Sequence, residues 1–260
     1  MTKPKIEVYG LSSCAGDQLM ILNCEDEILE ITSKVDISSF IMAQTGNVET
    51  EIDIAFVEGA VSTERDLRYL KDIRKRAVIL VAIGTCATWG GIYSCKNDIP
   101  REKLLKEVYG EKGQEYFDSI PAQPLKNFVK VDLSLPGCPI EKRWLLRVFA
   151  SFLHGDLLEV PNFALCSECK MMEYECLLVE RGMFCLGPVT VGGCKARCPG
   201  YNIPCIGCHG PVDEANYASE VQVLLEKGYS LEDIKRKIGL FVSNPDLKQI
   251  QFKKEEQKNG

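Results

Sequence analysis

The chain has 260 residues, 45% of them apolar and 26% charged, an ordinary globular composition that excludes wholesale disorder and suits one or two domains. Its formal net charge of −6 argues against a nucleic-acid grip, which needs a basic face. No apolar run approaches the ~18 residues of a membrane span. The stretch from Met1 to Tyr9 runs straight into a strand-like pattern with no secretory or transit signature, so the expected compartment is the cytoplasm.

Along the chain, residues 5–9 alternate apolar and polar side chains, 52–57 and 78–83 are short apolar runs, and 129–135 alternates again. Four strands are therefore predicted. Between them, 18–31 carries Leu19, Leu22 and Leu29 at helical spacing, with Asn23 and Asp26 interrupting the stripe. Residues 64–76 open on Thr63 and Asp66, a capping-box pair, and 141–153 is strongly apolar on one face. Strands alternating with helices predict an α/β fold, a doubly wound parallel sheet covered on both faces. From 161 to 211 the periodicity gives way to Gly, Pro and Cys, so this segment is expected to be irregular and held together by metal. Residues 213–227 and 231–240 then read as two short helices, the second capped by Ser230 with Asp233 three residues on. The last dozen residues read as a solvated charged tail. The expected division is 1–155, 156–212 and 213–260.

Cysteine is the unusual feature. There are thirteen, against two histidines, and eight of the thirteen lie between Cys166 and Cys208. In a reducing compartment such a cluster binds metal, and a nearly pure thiolate set means zinc or iron–sulfur. Three further cysteines sit in loops that follow predicted strands: Cys14-Ala-Gly-Asp17, Gly84-Thr-Cys86-Ala and Pro136-Gly-Cys138-Pro. Each falls at a carboxyl strand end, where the loops of an open α/β sheet converge on a crevice. Three thiolates distant in sequence then suit one shared centre. The other eight follow the order Cys166-x2-Cys169-x6-Cys176-x8-Cys185-x8-Cys194-x3-Cys198-x6-Cys205-x2-Cys208. They make two four-ligand sites, but spacing alone does not choose the partition, and two zinc ions would also use Cys-x2-Cys at both ends.

The three loops, with Cys176-Leu-Leu, Cys185-Leu-Gly-Pro-Val-Thr, Gly-Gly-Cys194 and Pro204-Cys205-Ile-Gly-Cys208, closely resemble the small, electron-transferring subunit of NiFe hydrogenases. Within that family the chain is similar to the delta subunits of the cytoplasmic group 3, of sulfhydrogenase or NAD(P)-linked type. The resemblance covers about residues 5–210 and implies a flavodoxin-like domain followed by a small iron–sulfur domain. It implies three 4Fe–4S clusters: a proximal one on Cys14, Asp17, Cys86 and Cys138, a distal one on Cys166, Cys169, Cys176 and Cys185, and a medial one on Cys194, Cys198, Cys205 and Cys208. An exchange of Cys185 with Cys208 or another member stays open. In many periplasmic members the first distal ligand is histidine, here Cys166, and the medial cluster has three cysteines. Cys198 supplies a fourth here. The family's first loop usually reads Cys-x-x-Cys, and Asp17 stands in the second position as it does in some cytoplasmic members. A carboxylate of this type could instead cap the following helix.

The resemblance further implies that no catalytic acid, base or nucleophile lies on this chain. The NiFe centre would sit on an obligate large subunit, and a flavin- or ferredoxin-like subunit would take the electrons. Competing readings are a relay subunit of the kind found in complex I, a zinc-stapled interaction module, and a flavodoxin-like FMN carrier. Cys24 and Cys95 read as free thiols, and His154 and His209 as ordinary polar residues.

Overall fold

The computed structural model describes residues 3–156 and 158–243. The charged tail therefore lies outside the described residues. Among the described residues seven strands are formed: β1 Lys5–Gly10, β2 Asp36–Phe40, β3 Ile52–Glu58, β4 Val61–Thr63, β5 Ala77–Ile83, β6 Ser119–Gln123 and β7 Leu133–Leu135. Five make a sheet in the order β2-β1-β3-β5-β7, every pair parallel. The order reverses beside β1, so the loops leaving β1 and β3 diverge there and open a crevice at their carboxyl ends. β4 and β6 pair antiparallel in a separate ribbon.

The central strands bury both faces, which is why they read as continuous apolar runs. Ile54, Phe56, Val81 and Ile83 point into one core with Ile6, Val8, Leu145, Val148 and Phe149. Their alternates Ala55, Val57, Leu80 and Ala82 point into the other with Tyr9, Leu70, Ile73 and Leu125. Helices α1 Gly16–Leu22, α2 Glu25–Lys34 and α3 Glu64–Arg76 follow in the chain, then α4 Gly84–Trp89, α5 Arg101–Tyr109 and α6 Gly113–Tyr116. α7 Lys142–Leu153 packs Leu145, Val148 and Phe149 on the first face, and α3 packs Leu70 and Ile73 on the second. The Thr63 capping box forms in both directions.

Two predicted elements differ. The helix expected over 18–31 is broken at Asn23 and Cys24 into α1 and α2, and α2 contributes no buried residue. The polar residues that interrupt the stripe mark where the chain leaves the core, and Asn competes with the helix for its own backbone groups. The strand expected over 129–135 is paired only at Leu133–Leu135. Val129 and Val131 pack against the second core without entering the ladder, while Asp132 accepts from Leu80 N at 2.9 Å and pairs with Arg74. The strand Asp36–Phe40 was not anticipated, because its sequence, Asp-Ile-Ser-Ser-Phe, is polar for an edge of the sheet.

A third core lies in the cysteine-rich region. Leu165, Leu178, Phe184 and Leu186 join Val221, Leu224, Ile234 and Ile238. The elements here are α8 Leu165–Met171, α9 Arg197–Gly200, α10 Tyr217–Glu226 and α11 Leu231–Ile238. Ser230 caps α11 by accepting from Asp233 N at 3.1 Å. Between α8 and α10 the chain is mostly turns and irregular backbone.

Candidate metal centres

Cys14 follows β1, Cys86 lies in the first turn of α4 after β5, and Cys138 follows β7. Their sulfurs are gathered at the crevice. Burial, then the neighbouring Cys138, Asp17 and Cys14, push the Cys86 thiol up to about 12. Cys138, though exposed, is raised by partial desolvation in the crevice and by Asp17 and Cys14. The Tyr93 N–H donates to Cys86 Sγ. Behind it Gly91 is required, since a Cβ there would stand 2.6 Å from that sulfur.

Asp17 does not cap α1. The cap position is Ala15, in a left-handed conformation with no side-chain bond. The Asp17 side chain, 6% exposed, reaches across the crevice, where Oδ1 accepts from Ile140 N at 2.8 Å. Burial and the neighbouring Glu58 raise its carboxyl to about 7, with the Ile140 bond opposing them. Capping of α1 falls instead to Glu58 at the end of β3. It accepts from Asp17 N at 3.3 Å, Gln18 N at 3.4 Å and Gln18 Nε2 at 2.8 Å. Sequence reading missed Glu58; the signal available was a carboxylate closing an apolar strand, immediately before Gly59.

Cys166 and Cys169 are spaced i, i+3 on α8 and share a face. Burial, then Cys185, Cys169 and Cys176, raise Cys166 to about 12. Cys169 rises to about 11 through burial, Cys185 and Cys176. A Cβ on Gly187 would lie 3.4 Å from Cys166 Sγ and 3.5 Å from Cys185 Sγ, so these two sulfurs flank one glycine. Cys176 is exposed.

The third set surrounds the loops 194–208. Cys194 accepts backbone N–H bonds from Ala196 and Arg197, because Lys195 and Ala196 are both left-handed and turn their amides inward. Cys198 sits on α9. Cys205 is buried, and its sulfur accepts from Gly207 N at 3.4 Å. Burial, then Cys194 and Cys198, push Cys208 up to about 12.

The remaining cysteines and the two histidines make bonds to backbone carbonyls or lie at a helix end. Cys24 is buried and bonds to Met20 O at 3.5 Å, and Cys95 bonds to Leu240 O at 3.6 Å. His209 is buried with Nδ1 3.3 Å from Gly192 O. His154 ends α7. Among the described residues, no three His, Cys, Asp or Glu side chains are gathered tightly enough to hold a single metal ion. No helix of the described residues is long and apolar enough to cross a membrane.

Residues 14–152 match the family described as NADH ubiquinone oxidoreductase, 20 Kd subunit. Across 91% of this chain and 98% of the relative, the sequence is 37% identical to sulfhydrogenase 2 subunit delta of Pyrococcus furiosus. It is 30% identical to a subunit of the F420-non-reducing hydrogenase vhu of Methanocaldococcus jannaschii, over 91% of this chain and 92% of that one. Among solved structures, a chain of an NAD+-reducing NiFe-hydrogenase in the H2-reduced state superposes with a TM-score of 0.57 at 26% identity. That match covers 62% of this chain and 96% of the other.

Proposed function

This chain belongs to the NADH ubiquinone oxidoreductase 20 Kd subunit family and is the small subunit of a NiFe hydrogenase, and on that basis we propose that it relays single electrons through three 4Fe–4S clusters. The relay runs between the NiFe centre of the large subunit and a flavin- or ferredoxin-like partner subunit, in a multisubunit complex of the cytoplasm. The NiFe centre is the catalytic site, and this chain is the electron-carrying component of the oxidoreductase.

The observation that carries the reading is the closeness of the sulfurs: Cys86 and Cys138 lie near Cys14 and Asp17, Cys166 and Cys169 near Cys176 and Cys185, Cys208 near Cys194 and Cys198, and Cys205 near both Cys208 and Cys185. Cys14, Asp17, Cys86 and Cys138 would hold the proximal cluster, Cys166, Cys169, Cys176 and Cys185 the distal one, and Cys194, Cys198, Cys205 and Cys208 the medial one. The donor chemistry fits. Thiols that raise one another's pKa by burial and repulsion cannot ionise together until cationic iron compensates them. Each cluster, when bound, takes up or releases one electron.

The protein's own groups do the remaining work. Backbone amides of Tyr93, Ala196, Arg197, Gly187 and Gly207 donate to ligand sulfurs and offset negative charge there. Cys14 and Cys138 are exposed on the crevice face, which the large subunit would cover in an obligate interface. Residues 1–155 would supply the proximal set and 156–212 the other two, with Val221, Leu224, Ile234 and Ile238 of the following helices completing the third core. The test is anaerobic metal analysis of the complex copurified with this chain. Three four-iron clusters and one iron at the NiFe centre predict about 13 irons and one nickel. About 12 irons without nickel would remove hydrogen chemistry, and zinc in place of iron would overturn the relay.

A further inference from the structure

Loops that carry ligands assigned to different clusters are hydrogen-bonded to one another. The backbone amide of Cys138, a proximal ligand, lies beside the sulfur of Cys208, a medial one. The backbone N–H of Cys205, also medial, donates to the sulfur of Cys185, a distal one, at 3.4 Å. Cys205 and Cys208 are the two ends of one Cys-x2-Cys turn, so this short turn is bonded to both neighbouring centres.

A buried threonine secures each junction. Thr85, 1% exposed and adjacent to the proximal ligand Cys86, donates its hydroxyl to the carbonyl of Cys208. The same oxygen accepts from Gly137 N at 3.1 Å, and Thr85 N donates to Gly137 O at 2.8 Å. One side chain thus clamps the 136–139 loop to Cys208. At the second junction Leu186 N donates to Cys205 O at 2.9 Å, and the Thr190 hydroxyl donates to Leu186 O at 2.6 Å.

We propose that Thr85 is a positioning residue for electron transfer, clamping the 136–139 loop to Cys208 so that the Cys205–Cys208 turn forms a continuous bonded route from the proximal to the distal centre. This rests on the cluster assignment above. A backbone amide held beside a ligand sulfur stabilises the more negative, reduced state of the centre, so the position of the 136–139 loop against Cys208 sets the medial potential as well as the path. Replacing the hydroxyl by a methyl leaves the Gly137 N–H and the Cys208 carbonyl without partners at a buried site, a cost that drives the two loops apart. No new chemistry is involved: one electron leaves the proximal centre as one enters the medial centre.

The experiment compares Thr85→Val and Thr85→Ser with the unsubstituted chain in the assembled complex, measuring iron content, EPR redox titrations and spin–spin splitting between reduced clusters. In Thr85→Val the expected result is full iron content, a medial midpoint potential shifted negative, loss of the splitting between proximal and medial signals, and an unmoved distal potential. Thr85→Ser, which keeps the hydroxyl, restores the medial potential and the splitting. If Thr85→Val lowers thermal stability but leaves the medial potential and the splitting unchanged, Thr85 is only structural and the proposal is overturned. Should Thr85→Val fail to assemble, the unsubstituted complex decides: proximal and medial signals that titrate without mutual splitting overturn the proposal. An unsubstituted complex lacking iron would instead overturn the cluster assignment, and this route with it.

Discussion

The Asp17 carboxylate lies against the α-carbon of Gly84: a Cβ built there would stand 1.7 Å from Asp17 Oδ2 and 2.5 Å from its Cγ. Two residues separated by most of the sheet in sequence therefore share one small volume at the crevice. Gly84 is needed twice, because its φ of +81° is also one that L side chains rarely adopt.

Gly84→Ala is accordingly expected to push Asp17 out of the proximal set. The left-handed backbone adds about 1–2 kcal/mol of destabilisation to the steric conflict. Iron bound by this chain should fall from about 12 to about 8 atoms, one four-iron cluster being lost. Iron analysis and EPR of the purified complex check this; retention of all three signals would place Asp17 outside the ligand set.

Asp17→Asn separates ligation from folding. The asparagine oxygen can still accept from Ile140 N, the 2.8 Å bond that fixes this side chain, so the fold should be kept. The amide nitrogen that replaces Oδ2 has no electron pair suited to iron. The expected outcome is an altered proximal EPR signal and midpoint potential with a melting temperature near that of the unsubstituted chain. Asp17→Ala should in addition cost about 1–3 kcal/mol, by leaving the buried Ile140 N–H unpaired. An unchanged proximal signal in Asp17→Asn would rule out ligation.

Glu220 on α10 supplies a pH dependence. It is 3% exposed, its Oε1 has no hydrogen-bond partner among the described residues, and burial raises its carboxyl from 4.5 to about 7. Below about pH 4.5 the group is protonated in both folded and unfolded chains and costs nothing. Between that value and about 7 the folded chain holds a proton the unfolded chain has released, so stability falls as pH rises. Glu220→Gln removes the penalty. Its apparent melting temperature should exceed that of the unsubstituted complex by a few degrees at pH 8, at about 2–4 °C per kcal/mol, and by little at pH 5. A gap independent of pH would show that the carboxyl does not titrate in this range.

How far each part was legible depended on the range of the interaction behind it. The Thr63–Asp66 and Ser230–Asp233 caps were readable because a cap is settled within four residues. The break at Asn23 was visible as polar residues in an apolar stripe, but its consequence was not, since only the packed sheet shows that α2 lays Ile31 against the core and fully buries no side chain. The edge strand Asp36–Phe40 was hidden because a polar segment enters a sheet through ladder bonds supplied by β1.

The sequence by itself determined the chemistry: thirteen cysteines, eight of them crowded into one segment, and three loops that end predicted strands. It also determined the doubly wound sheet, since strands buried on both faces must read as continuous apolar runs. Only the tertiary structure decided which donors meet. Asp17 turns away from its own helix to Ile140, Glu58 caps that helix from the next strand of the sheet, and Thr85 reaches Cys208. Partners such as Asp17 and Ile140, or Thr85 and Cys208, stand 123 positions apart. No local periodicity records such pairings, because they come into being only when strand ends converge on the crevice and the cysteine-rich loops close over it.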